Sequence, residues 1–293
     1  MSLVALNDGG RRGVAKLINS SHDRPMNLNT VLPWEQGVDK RRLPKPIEQC
    51  WIAGTPYFDA LSIDQRHELA WLETARDVSM FITLEQTLPP LYMGYINRHG
   101  SEISRDTHEY LMIFSKEEIV HTMMFQRYML LAELPLFRPA EGVFELLTVQ
   151  LPSMPPEFGI ACTLVLEWVA ELGAMHASQF DAAEPLTRQM FYEHHVDESR
   201  HIAFGRWVTE HFLETAPEPQ AQQLRAVLRG MLARLVPQFT YNPEVAEHLS
   251  FDFPIKRDDA ERIAEVRGSA TNAALNRKRF APLNSWLRKL EVA

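Results

Sequence analysis

Cysteine is almost missing from this chain: two in 293 residues, Cys50 and Cys162. They stand far apart without metal-ligand spacing, which argues against a disulfide scaffold or a thiolate metal site and fits a reducing, cytoplasmic compartment. Glycine is sparse at 13 residues, and no Gly-rich phosphate loop is present. Basic charge is in deficit, with 30 Lys and Arg against 38 Asp and Glu and a net charge of −8. Nucleic acid is therefore not an expected partner, and the run Arg277–Lys278–Arg279 reads as a solvated helix face. No signal peptide is expected from MSLVALNDGGRR, which lacks an apolar core. No uninterrupted apolar run is long enough for a membrane span. The most apolar segment, residues 158–175, is broken by Glu167 and Glu171. Strand pairs and low-complexity tracts are lacking too.

What is there reads as all-α. Residues 1–60 carry Pro25, Pro33, Pro44, Pro46 and Pro56 without apolar period. They are expected to form a mostly irregular arm around the rest, mobile over its first twenty or so residues and pinned by Trp34, Trp51 and Tyr57. Residues 61–293 are expected to be one helical domain, with a core bundle over 62–215 and C-terminal helices over 216–293. Ser62 and Gln65 form a capping box for the first helix, which Pro89–Pro90 kinks or ends. Helical periodicity predicts further helices from about Asp106 to Ala132, Glu157 to Phe180, Glu184 to Thr215, Pro219 to Val236 and Arg257 to Leu275, and a short one from Glu141 to Thr148.

The chemistry sits in FYEHHVDESRHIAF. His194, Glu198 and His201 fall at i, i+4 and i+7, one stripe of a helix. Two imidazoles and a carboxylate make a poor core unless something positive lies against them, and a metal ion is the economical explanation. KEEIVHTMMF supplies a second Glu-x-x-His, Glu118 and His121. Two such turns plus one Glu from each of two other helices are how a four-helix bundle holds a metal pair in its core. Glu85 lies 33 residues before Glu118, and Glu167 lies 31 before Glu198. Each gap allows a helix, a turn and a return to the same level. Carboxylate and imidazole ligands suit iron or manganese. Glu118 and Glu198 are expected to bridge, Glu85 and Glu167 to be terminal, and His121 and His201 to bind one ion each. Glu171, one turn along the same face, competes with Glu167. Glu117 and Asp197 are expected to orient the imidazoles. His195 points away from the stripe and reads as structural.

This order, Glu, EExxH, Glu, HxxxExxH over residues 85–201, resembles the ferritin-like non-haem diiron N-oxygenases, whose type member is p-aminobenzoate N-oxygenase. The resemblance implies that His194, one turn before the last Glu-x-x-His, is a seventh protein ligand. It implies two iron ions, with manganese as an alternative metal, O2 as co-substrate and an external electron donor. It implies oxidation of an amine, usually an arylamine, through hydroxylamine to nitroso or nitro products by a diferric peroxo species, often in natural-product biosynthesis. Glu118, Glu198 and His194 are the residues expected to carry that chemistry. The expected partners are a small amine and a reductant or electron-donor protein, in a homodimer, with neither membrane nor nucleic acid. Three other readings carry the same ligands: a diiron carbon hydroxylase or desaturase, a radical-generating subunit, and a non-enzymatic ferritin-like iron protein. Phe125 weakens the second, because that family has a tyrosine one turn after the first Glu-x-x-His.

Overall fold

Ser62 starts the bundle by the expected device: its side chain accepts from the Gln65 N–H while the Gln65 side chain accepts from the Ser62 N–H. The computed structural model describes residues 3–139, 142–235 and 239–292. Its helices of eight residues or more are α1 (Asp8–Asp23), α2 (Ile63–Glu85), α3 (Leu88–His99), α4 (Arg105–Leu131), α5 (Pro156–Ser178), α6 (Pro185–Thr215), α7 (Glu218–Leu235), α8 (Ala260–Arg267) and α9 (Ala270–Lys289). The described residues hold no strand, only an isolated bridge between Leu3 and Ile103.

Helices α2, α4, α5 and α6 form the four-helix bundle, with α5 and α6 as its most intimate pair. Gly205 of α6 permits that closeness, since a Cβ there would sit 2.9 Å from the Leu164 Cβ of α5. Each helix start has a local cause. Ser104 accepts from the Thr107 N–H at 3.4 Å, and the Glu184 carboxylate accepts from the Thr187 N–H at 2.7 Å. Helix α5 is long and apolar enough to cross a membrane, yet its most apolar stretch is 82% buried inside the protein. It is the core helix, and both its interrupting carboxylates, Glu167 and Glu171, are buried.

The structure departs from the sequence reading at several places. The arm is not irregular at its start: α1 is a 16-residue helix packed on α4 and α6. Asn7 caps it by accepting from the Gly10 N–H, and Val14 and Ile18 are buried beneath it. Arg24 just beyond holds Glu193 of α6 at 2.8 Å. The three aromatic side chains do meet residues outside the arm: Arg127 of α4 lies over Trp34 at 4.3 Å, Arg279 lies over Trp51 at 5.2 Å, and Tyr57 donates to Glu265 at 2.6 Å.

Helix α2 does end just ahead of Pro89–Pro90, as expected, and is not kinked by them. The chain leaves the helix after Glu85, and both prolines sit in the first turn of α3, where their missing N–H groups cost nothing. The single helix expected from Arg257 to Leu275 is two, α8 and α9, because the chain breaks at Gly268 and Ser269 caps α9. Arg279 is not a solvated position: its guanidinium lies over Trp51 at 5.2 Å and over Phe239 at 4.8 Å. Glu141 and Val236, expected as helix limits, lie outside the described residues; from Val143 to Ser153 the chain makes a run of short helical turns.

Candidate metal centre

Six of the seven expected ligands meet as two groups in the bundle core, and the seventh, Glu167, is buried beside them. Potential ligand atoms of Glu85, His121, His194 and Glu198 lie within 4.8 Å of one another, as do those of Glu118, Glu198 and His201. Glu198 belongs to both groups. Its Oε1 is 3.4 Å from His194 Nε2, 3.4 Å from His121 Nδ1 and 3.1 Å from His201 Nδ1. Glu118 lies between two imidazoles, Oε1 2.8 Å from His201 Nδ1 and Oε2 3.8 Å from His121 Nδ1. Glu85 Oε1 is 2.7 Å from His194 Nε2. Glu167 is buried on α5, and its ionisation is shifted by both Glu198 and Glu118.

The rear of each imidazole is held. His201 Nε2 lies 2.9 Å from Glu117 Oε2, and His121 Nε2 lies 3.2 Å from Asp197 Oδ2. Glu117 and Asp197 therefore face imidazoles as expected, each across the bundle on the opposite Glu-x-x-His helix. Arg200, which the sequence reading missed, joins the two carboxylates: its Nη2 donates to Glu117 at 2.8 Å and to Asp197 at 2.7 Å. The only sequence signal was a cation three residues after Asp197, inside a buried helix face. Glu171 also has a place not foreseen. Its two oxygens lie 3.0 Å from His194 Nδ1 and 2.6 Å from His195 Nδ1. It thus stands behind His194, leaving Nε2 of that ring toward Glu85 and Glu198. His195 sits on the flank with 35% of its side chain exposed.

Burial and charge show what this arrangement wants. Glu118, His121 and His201 have no exposed surface. Glu85 Oε2 and Glu167 Oε1 are buried without a hydrogen-bond partner, and the Glu118 oxygens meet only the His201 and His121 Nδ1 atoms, outside hydrogen-bond geometry. Such orphaned acceptors are costly in a dry core. Burial, reinforced by Glu198 and Glu118, pushes the Glu167 carboxyl well above the carboxylate range. Burial likewise raises Glu85, although His194 opposes it. Burial works against the His121 proton, but Asp197 and Glu118 outweigh it and lift the imidazole up to about 10. Burial is overcome at His194 and His201 too, chiefly by Glu85 and Glu198 at the first and by Glu198 and Glu118 at the second. Protons on three imidazoles thus balance a nest of carboxylates. Cations at the same inward nitrogens and oxygens would balance it better, since they also satisfy the orphaned atoms. Two divalent ions fit this donor set of four carboxylates and three imidazoles, all oxygen and nitrogen.

Aromatic rings close the surroundings. Phe81 and Phe125 each meet His194 edge-on at 4.9 Å, and Phe114 stacks on His201 at 3.6 Å. No tyrosine stands at position 125.

No curated protein matches the chain. Among solved structures, an R2-like ligand-binding oxidase with aerobically reconstituted Mn/Fe cofactor is similar, with a TM-score of 0.57 and 15% identity over 96% of this chain and 92% of that one. A variant of an R2-like ligand-binding oxidase with anaerobically reconstituted Mn/Fe cofactor gives 0.59 and 15% over 96% and 94%. Another variant, with an Fe/Fe cofactor, gives 0.58 and 16% over 96% and 94%. At such identity the likeness shows the fold, which is all-α and ferritin-like. The family profile described as p-aminobenzoate N-oxygenase AurF matches residues 9–291, nearly the whole length that builds and encloses this buried cluster, and on that match the chain belongs to the p-aminobenzoate N-oxygenase family and is an oxygenase.

Proposed function

We propose that this chain is an O2-dependent non-haem diiron N-oxygenase that oxidises an amine, an arylamine in the first instance, to hydroxylamine, nitroso or nitro products in natural-product biosynthesis. The observation that carries this is the placement of His194. Its Nδ1 faces Glu171 and its Nε2 faces Glu85 and Glu198. It therefore adds a third imidazole to a cluster that Glu85, Glu118, His121, Glu167, Glu198 and His201 already furnish for two ions. Two iron ions held there would supply the binding of O2 and the electrons that activate it; manganese in one position suits the same donors.

The protein's own share is orientation and exclusion. The Glu117–Arg200–Asp197 ion triad fixes His201 and His121 from behind. Glu171 fixes His194. Phe81, Phe114 and Phe125 keep water from the rings. The reading requires a small amine as substrate and an external electron donor.

The test is direct. Iron-reconstituted, reduced protein is exposed to O2 with a panel of arylamines, and products are identified by mass. Hydroxylamine, nitroso or nitro products at about two irons per chain are expected. One iron or none per chain would remove the diiron reading. Products hydroxylated or desaturated only at carbon would replace N-oxygenation with carbon oxidation on the same ligands.

A further inference from the structure

A cavity of about 300 Å³ lies where the first turn of α5, the last turn of α6, the start of α7 and the segment before α1 meet, and none of the seven candidate ligands lines it. This size is at the lower end of the roughly 300–1,000 Å³ of small-molecule pockets. Its charge is one-sided: Glu157 lines it, and no Lys or Arg does. Glu157 is only 6% exposed, and a carboxylate is almost never so buried unless it is paired. Its partner is a neutral group, since Oε1 accepts the Val4 N–H at 2.7 Å. Among the described residues no Lys, Arg or His forms an ion pair with it. A second polar group is unmet as well. His211 lines the same cavity, and its buried Nδ1 has no hydrogen-bond partner. The wall beside them is apolar, led by Phe158 of α5 and Phe212 of α6, whose rings meet edge-on at 5.6 Å.

The walls are built against strain. Val4, whose N–H is given to Glu157, is fully buried with φ at 51°, a left-handed conformation that is an outlier for a β-branched residue. Leu3 anchors it, donating its N–H to the Glu102 carbonyl at 3.0 Å. On the opposite side Thr215 Oγ1 donates to the His211 carbonyl at 2.8 Å.

We infer that this cavity binds an organic ammonium ion with a small apolar body, its charged nitrogen against Glu157 and His211 Nδ1 and its body along Phe158 and Phe212. A bare inorganic cation would leave the aromatic wall wet. A neutral molecule would leave the buried carboxylate without a counter-charge. An alkylammonium carries both parts: its N–H donors make charge-assisted bonds to a carboxylate, and its charge is attracted to ring faces. An arylamine, whose nitrogen is uncharged at neutral pH, does not meet this need, so the occupant differs from the substrate proposed for the metal centre. This site does not depend on the amine-oxygenase reading, and either can fail alone.

The experiment is calorimetric titration at pH 7 of the full chain, loaded anaerobically with Mn2+ so that the carboxylates of the cluster are occupied. The probes are 2-phenylethylamine, its neutral counterpart 2-phenylethanol, and methylamine. 2-Phenylethylamine is expected at one per chain, about tenfold tighter than 2-phenylethanol, with methylamine weaker than 2-phenylethylamine. E157Q, whose amide oxygen can still accept the Val4 N–H, is expected to erase the tenfold preference while 2-phenylethanol binding stays unchanged. H211F, which removes the unpartnered nitrogen, is expected to weaken 2-phenylethylamine by roughly threefold to fivefold. A216W, which fills the cavity from the end of α6, is expected to weaken both aromatic probes. Equal affinity for 2-phenylethylamine and 2-phenylethanol would overturn the proposal, as would a preference that survives E157Q. Methylamine binding as tightly as 2-phenylethylamine would overturn its apolar half. Binding of 2-phenylethylamine that A216W leaves unchanged would place the amine elsewhere on the protein and overturn it too.

Discussion

At the scale of single residues, the two carboxylates of α5 have parted roles. Glu167 has a buried oxygen without a partner and lies in the field of Glu198 and Glu118. Glu171 has both oxygens committed to His194 and His195. Glu171→Ala is therefore expected to retain two irons per chain at saturating iron, while amine oxidation falls about 10–100-fold, as for other carboxylates that orient a metal-bound imidazole. Glu167→Ala is expected to weaken iron retention itself. Iron content after gel filtration checks both, and an emptied Glu171→Ala beside a fully loaded Glu167→Ala would reverse the assignment. His194→Ala gives the sharper separation. Six ligands remain, so two irons should stay bound, yet most amine oxidation should be lost. Wild-type turnover in that variant would make His194 a bystander. Spacing along α4 and α6 was enough to place the ligand stripe, because i, i+3, i+4 and i+7 geometry is local. It was blind to Glu171 behind His194 and to Arg200 between Glu117 and Asp197, since those contacts depend on how the helices rotate against one another.

Among elements, legibility followed the strength of local signals. Helices α2, α4, α5 and α6 carry long apolar periods and side-chain or proline starts, and their limits come out within about two residues. Helix α1 was missed because Gly9, Gly10 and Gly13 sit inside it and lower its propensity. Its stability comes from packing Val14 and Ile18 on α4 and α6, which no local pattern reveals. The split between α8 and α9 had a readable sign in Gly268–Ser269, a stop followed by a cap. The α5–α6 contact is the element pairing most exposed to mutation. Both helices carry proposed ligands, and Gly205 leaves no room for a side chain against Leu164. Gly205→Val is expected to cost about 1–3 kcal/mol through overpacking and to lower Tm. Because the strain falls one turn from His201, iron retention should fall with it. Unchanged Tm and iron content would show that α5 and α6 can move apart at this level without disturbing the core.

For the molecule as a whole, the buried cluster ties stability to pH through the metals. Without metal, His121 is raised from 6.5 up to about 10, and His194 and His201 are raised well above the same 6.5. A raised folded value means that the native state binds more protons than the unfolded chain. That contribution is complete below the unfolded value near 6.5 and is lost as pH rises through the folded value. Glu85 and Glu167 are also raised, from 4.5, so they act with the same sign from a lower starting pH. Glu118 acts oppositely. Burial would raise it, but His201 and His121 hold it below 4.5, and its contribution is lost only in acid. Metal ions replace the imidazole protons, so their affinity grows as pH rises. Metal-stripped protein is therefore expected to lose Tm steadily from pH 7 to pH 10, whereas protein loaded anaerobically with Mn2+ should lose less, and the gap should widen with pH. Thermal unfolding at pH 7, 8.5 and 10, with and without Mn2+, measures both. A metal-stripped Tm that stays level or rises across this range would refute the imidazolium–carboxylate pairing in the empty cluster. A gap that does not widen would refute the displacement of those protons by metal, and with it the assignment of the inward nitrogens of His121, His194 and His201 as ligands.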